Sequence, residues 1–166
     1  TPLITNADGT KFGKSEGNAI WLDPELTSPY ALYQFWLNTD DRDVIDRLKI
    51  FTFLSRAEID ALETAVHETP HLRAAQKCLA QEVTTLVHGL DQTLAVTAAS
   101  EALFGKGELD GLDPATLESA LRELPHATIT PETSVAEALV STGLCQSLSE
   151  ARRAIGQGGV SINNQA

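Results

Sequence analysis

Two ammonium groups and a hydroxyl fall within five consecutive residues near the start of this 166-residue chain, Lys11-Phe12-Gly13-Lys14-Ser15. Asn6-Ala7-Asp8-Gly9-Thr10 precedes them and Glu16-Gly17-Asn18 follows, so the cations are expected on a polar, glycine-punctuated and mobile backbone. Lysine supplies compact charge on a flexible stem, and glycine lets backbone N–H groups come close to an oxyanion. Together they suit phosphate binding. The phosphate loop of nucleoside triphosphatases needs a glycine five positions before its Gly-Lys-Ser, where this chain carries the carboxylate of Asp8. The residues themselves leave two readings open: a phosphate-handling loop of another kind, or a solvated lysine-rich loop without a ligand.

No second chemical centre stands out. Cys78 and Cys145 are far apart, with no His or further Cys at ligand spacing, and read as small hydrophobes. His67, His71, His88 and His126 have no Asp or Cys at catalytic or metal-binding spacing. Trp21, Tyr30, Tyr33, Phe35 and Trp36 offer faces on which bases could stack, but their spacing favours a core. The chain has no apolar run near the ~18 residues of a membrane span and no signal peptide, so a soluble, reducing compartment is the default.

The net charge of −11 opposes a nucleic-acid partner, whose affinity rests on Lys and Arg neutralising phosphates. Its distribution qualifies that. Residues 91–132 carry −6, whereas in 134–166 Arg152 and Arg153 balance Glu137 and Glu150. An RNA contact in this neutral tail would be local and shape-based, with the acidic segment turned away.

The elements that must position these residues are legible from caps and periods. A short strand is expected around Ile20 to Leu22. Ser28-Pro29 then supplies an N-cap and a first-turn proline for a helix bearing Leu32, Phe35 and Trp36, ending near Asn38–Thr39. Asp40 and Asp41 cap a second helix with Val44, Ile45, Leu48 and Phe51 inward, and Ser55-Arg56-Ala57-Glu58 has capping-box spacing before Ile59, Leu62 and Val66. Thr69-Pro70 opens the longest period, Leu72, Ala75, Leu79, Val83, Leu86 and Leu90, broken by Gly89. Asp91 is expected to cap the next helix, with Leu94, Ala98, Leu103 and Phe104 on its inner face, until Gly105-Lys106-Gly107. Asp113-Pro114 starts a helix through Leu117, Leu121 and Leu124. His126 to Thr133 reads as a linker. Beyond it, Ser134 to Glu137 and Ser147 to Glu150 repeat the capping-box spacing, and Gly158 to Asn163 alternates like a strand.

The pentapeptide resembles the lysine signature loop of class I aminoacyl-tRNA synthetases, written KMSKS, with Phe12 and Gly13 in its variable places. Thr27-Ser28-Pro29-Tyr30, the run Tyr33 to Val44, Phe51 to Ser55, Arg73 to Lys77 and Ala80 to Gly89 together resemble bacterial tyrosyl-tRNA synthetases over most of the chain. The Ser-Pro-Tyr and Phe-Trp-Leu-Asn-Thr-Asp-Asp runs fit these better than the tryptophanyl enzymes. The tail resembles the small RNA-binding module first recognised in a ribosomal small-subunit protein, through Leu139, Gly143-Leu144, Ser147, Ala151-Arg152, Ile155, Gly158 and Val160 to Asn163. It departs from that module at Leu148, where a basic residue is frequent, and the chain ends before the module's later strands.

The resemblance implies a mainly α fold in four parts. Residues 1–27 are the end of a nucleotide-binding catalytic domain, and 28–125 a helical domain of anticodon-binding type. Residues 126–133 form a linker, and 134–166 a partial α+β RNA-binding module. Tryptophan and tyrosine on the first helix, Trp36 and Tyr33, would pack the loop's domain against the helical one. The implied activity is tyrosine–tRNA ligation in a bacterial cytoplasm by a homodimer, with ATP, L-tyrosine and tRNA(Tyr) as partners and Mg²⁺ on the phosphates. Lys11 and Lys14 would be catalytic, with Lys11, Phe12, Gly13, Lys14 and Ser15 around ATP. Arg152 and Arg153 are candidate RNA contacts, and Arg56, Arg73 and Lys77 are either tRNA contacts or ordinary surface charges. No His-Ile-Gly-His-like motif or tyrosine pocket occurs in the 166 residues, and there is no Met. The chain is therefore expected to be a fragment, inactive by itself. An autonomous helical RNA- or protein-binding module is the alternative.

Overall fold

The computed structural model describes residues 4–7, 9–10, 12, 19–104, 112–122 and 124–162. They are mainly helical, and form two compact units, Thr1–Thr97 and Ala98–Ala166.

The first unit is organised around one long helix. α1 (Pro29–Leu37) begins where the Ser28 hydroxyl accepts the Ala31 N–H at 3.1 Å and Pro29 fills the first position, where an N–H would be unused. α2 (Asp41–Phe51) starts from Asp40, whose carboxylate takes the Arg42 N–H at 2.9 Å. α3 (Arg56–Glu68) has a complete capping box: the Ser55 N–H donates to Glu58 at 2.7 Å, and the Glu58 N–H to Ser55 Oγ at 3.4 Å. All three pack on α4 (Ala74–His88), whose Ala75, Leu79, Ala80 and Val83 are buried. Tyr30, Leu32, Tyr33 and Trp36 of α1 are buried too, as the core reading requires. Trp21 departs from that reading: it lies 54% exposed in a non-helical stretch.

Four other expectations are corrected. Thr69-Pro70 opens only a 3-10 turn, Pro70–Leu72, and α4 begins after Arg73, whose left-handed backbone (φ 52°) interrupts any continuous helix. Leu72 and Leu86, both counted in the expected period, are exposed. α5 (Leu90–Phe104) starts directly after Gly89 (φ 87°), whose carbonyl accepts both the N–H and the hydroxyl of Thr93, so Asp91 falls inside the first turn and is not the cap. Its buried residues are Thr93, Val96, Ala99, Ser100 and Ala102, while Leu94 and Phe104 are exposed. Small side chains admit close neighbours; the bulkier leucine stripe is the one left outward. Residues 20 and 21 are irregular and 22 is a bend, and 158–162 contain a single bridge residue, Ile162, so neither expected strand exists among the described residues.

In the second unit Asp113 caps α6 (Pro114–Arg122), accepting the Thr116 N–H and hydroxyl at 2.8 and 2.7 Å. Residues 126–133 carry no helix. α7 (Val135–Ser141) has a full capping box between Ser134 and Glu137. α8 (Leu148–Gly156) has half of one: Ser147 caps the Glu150 N–H at 3.2 Å, but the Glu150 carboxylate takes the Gln146 N–H. Ala136, Cys145 and Ala151 form a small core between these helices with Leu139 and Val140 against it. Cys145 is thus the buried hydrophobe expected, while Cys78 is only half-buried. Among the described residues no helix is long and apolar enough to cross a membrane.

Candidate functional site

Of the signature pentapeptide, Phe12 alone is described; Lys11, Gly13, Lys14 and Ser15 lie outside the described residues. What leads into it is a tight hairpin. The Phe12 N–H donates to Ile4 O (3.1 Å), the Asn6 N–H to Thr10 O (2.8 Å) and the Gly9 N–H to Asn6 O (2.8 Å). Gly9 has φ 84°, the left-handed position that a three-residue hairpin loop requires. The stretch read as mobile is, in its described residues, hydrogen-bonded and docked.

It docks on α2. Arg47 Nη2 donates to Thr5 O at 2.8 Å and to Asn6 Oδ1 at 3.0 Å, and the Ala7 N–H donates to Asp43 Oδ2 at 3.0 Å. The Arg47 guanidinium lies 4.4 Å from the centroid of the Phe12 ring. That ring also packs on Phe35, Trp36 and Phe51, with centroids 5.5–5.8 Å away. Trp36 therefore joins the hairpin to the helices as expected of it. Phe12 has both its ring and its N–H engaged inside the molecule. Beside it opens a cleft of about 430 Å³ lined by Asn6, Ala7, Phe12, Asn38 to Asp40, Asp43 and Arg47. Arg42, donating from its side chain and then its backbone, holds the Asp40 carboxyl well below the usual range.

Sequence reasoning missed Arg47, which is 3% exposed. Set among Asp41, Arg42, Asp43 and Asp46, it reads as one charge of a solvated face. The available signal is its register: position 47 shares the inward stripe of Val44, Leu48 and Phe51, and Asp43 stands one turn before it.

The arginines and lysine offered as RNA contacts separate. Arg73 is not a surface charge: its Nη2 donates to Leu37 O (2.7 Å) and Thr39 O (3.4 Å), satisfying carbonyls at the end of α1. Gln76, buried beside it, donates to Thr39 O and the Asp41 carboxylate. Arg56 and Lys77 are exposed, Arg56 within 3.7 Å of Asp60. Arg152 and Arg153 are exposed on α8. The Glu137 carboxyl is held below its ordinary value first by the Ser134 hydroxyl and backbone N–H, and more weakly by the charge of Arg152.

Residues 116–166 match the model of the tyrosine–tRNA ligase SYY-like C-terminal domain. The tyrosine–tRNA ligase of Leifsonia xyli is 68% identical over 165 residues, covering 99% of this chain and 37% of that protein. That of Streptomyces coelicolor is 57% identical, covering 99% and 39%. The chain thus spans under half the length of the curated relatives it matches. A C-terminally truncated mitochondrial tyrosyl-tRNA synthetase from Aspergillus nidulans superposes with a TM-score of 0.51 at 44% identity, covering 52% of this chain and 26% of that one. Residues 1–105, well over half of the chain, match the family model of tRNA synthetases class I (W and Y), and the protein belongs to that family.

Proposed function

We propose that the polypeptide carrying this sequence is a tyrosine–tRNA ligase. The observation that carries this is the 68% identity, over 99% of the chain, to a protein of that name. In this reading residues 1–27 end the nucleotide-binding domain, 28–125 are of anticodon-binding type, 126–133 link, and 134–166 belong to a small α+β RNA-binding module. The enzyme acts as a cytoplasmic homodimer.

The chemistry has two steps. A carboxylate oxygen of tyrosine attacks the α-phosphorus of ATP and the bond to the β-phosphate oxygen breaks, giving tyrosyl-adenylate and pyrophosphate. A ribose hydroxyl of the terminal adenosine of tRNA(Tyr) then attacks the tyrosyl carbonyl and expels AMP. Charge builds on the departing pyrophosphate in the first step, and cations aimed there lower the barrier. Lys11 and Lys14 take that role, with Ser15 and the Gly13 N–H adding hydrogen bonds and Phe12 anchoring the loop. In this reading Mg²⁺ would be held largely by the ATP phosphates and would share their charge.

The experiment is adenylate formation by the full-length polypeptide. Lys11→Ala and Lys14→Ala should each slow it more than tenfold, about 1.4 kcal/mol of transition-state stabilisation, with tyrosine affinity unchanged. Rates within about twofold of wild type would remove these lysines from the mechanism. Charging of tRNA with tryptophan instead of tyrosine would overturn the substrate assignment.

A further inference from the structure

We propose that Arg47, assisted by Asp43, is a positioning residue for the lysine loop; the inference rests on the ligase reading above. Arg47 and Asp43 have side chains 4% and 17% exposed, and their closest charged atoms are 3.9 Å apart. A guanidinium removed from water needs compensation by close, well-directed acceptors. Arg47 finds its short contacts on the hairpin, at Thr5 O and Asn6 Oδ1, forty-two and forty-one residues away in sequence. Its planar face meets the Phe12 ring. Asp43 completes the grip through the Ala7 N–H.

An apolar side chain would fill this position without holding the hairpin in one orientation. The fork and face of the guanidinium fix three points of it, both strands included. Lys11 stands in sequence between Thr10, whose carbonyl accepts the Asn6 N–H, and Phe12, whose N–H and ring are both held. The clamp therefore acts on the described residues that flank the first lysine, and this is the basis for assigning it a positioning role. Displacing a catalytic group by about 1 Å can cost on the order of 10²-fold in rate, so a residue that touches no substrate can still govern the adenylation step.

The test is a double-mutant cycle in the full-length enzyme, read by single-turnover adenylate formation and tyrosine binding. Arg47→Met keeps the stem and removes the fork. It should lower the rate by tenfold or more, toward the order of 10²-fold, with tyrosine affinity unchanged. Lys14→Ala should then cost less in the Arg47→Met background than in wild type, because a misplaced loop has less to lose. Arg47→Lys, which keeps the charge but not the fork, should not restore the rate. Asn6→Ala, a milder change that removes one acceptor, should show the same signature more weakly, and it decides the matter if Arg47→Met does not fold. A rate within about twofold of wild type, or losses from Arg47 and Lys14 that multiply independently, overturns the clamp. If Lys14→Ala is costly while Arg47→Met is neutral, the clamp alone fails. If Lys14→Ala is itself without effect, the loop's catalytic role fails and the clamp with it.

Discussion

Arg73 does two jobs in one residue. Its left-handed backbone ends the 3-10 turn and starts α4, and its guanidinium closes the exposed carbonyls at the end of α1. A non-glycine residue in that conformation costs roughly 1–2 kcal/mol, and a hydrogen bond from a charged donor contributes about 1.5–3 kcal/mol. Arg73→Ala keeps the backbone cost and loses the side-chain bonds, so it should destabilise the protein by about 2 kcal/mol in urea melts. Arg73→Gly loses the same bonds but relieves the backbone, and should be less destabilising than the alanine variant. The reverse order would mean that the side chain acts through something other than the α1 carbonyls. Neither role of Arg73 is legible in the sequence, where it sits between Leu72 and Ala74 as one more helix-compatible residue. Left-handed geometry and a partner thirty-six positions back leave no local mark.

At the scale of elements, the helix starts were legible because each cap closes within three or four residues. Ser28, Asp40, Ser55, Asp113, Ser134 and Ser147 all cap where the spacing places them. Ser55→Ala or Ser134→Ala should each cost about 1 kcal/mol of stability, checked by thermal or urea unfolding. The capping carboxyls add a pH dependence. The Ser55 hydroxyl, then its backbone N–H, holds the Glu58 carboxyl below its usual value, and Ser134 does the same for Glu137. A carboxyl depressed in the folded state stabilises fully above the unfolded value of about 4.3, and that contribution disappears as pH falls through the lower folded value. The gap in melting temperature between wild type and Glu58→Ala should therefore be constant near neutrality and narrow in acid below about pH 4. A gap that stays unchanged into strong acid would show that the ionised carboxylate is not what caps α3.

For the molecule as a whole, the net charge of −11 means that the tRNA binding proposed above would depend on where the few cations stand. Arg152 and Arg153 are exposed on α8 in a tail that they bring to neutrality, and Arg152 is partly answered by Glu137. If α8 meets phosphates, Arg152→Ala and Arg153→Ala should each weaken tRNA binding and lower the slope of log affinity against log salt by about 1. Arg153, without the Glu137 interaction, should show the larger effect. Unchanged slopes in both variants would move the RNA contact away from this helix.

The sequence by itself determined what closes over short distances: the order of the helices, their capped starts, the left-handed glycine stops and the family-bearing runs around Lys11 to Ser15 and Tyr33 to Val44. Tertiary structure decided the rest. Whether Arg47 is solvated or buried depends on acceptors in a hairpin forty residues earlier, and which face of α5 turns inward depends on what packs there. Whether residues 20–22 or 158–162 become strands depends on a neighbouring strand to complete their hydrogen bonds, and none is present among the described residues. Caps and turns are local interactions that a sequence spells out. Burial and pairing are relations between distant segments, and only the assembled fold supplies the second partner.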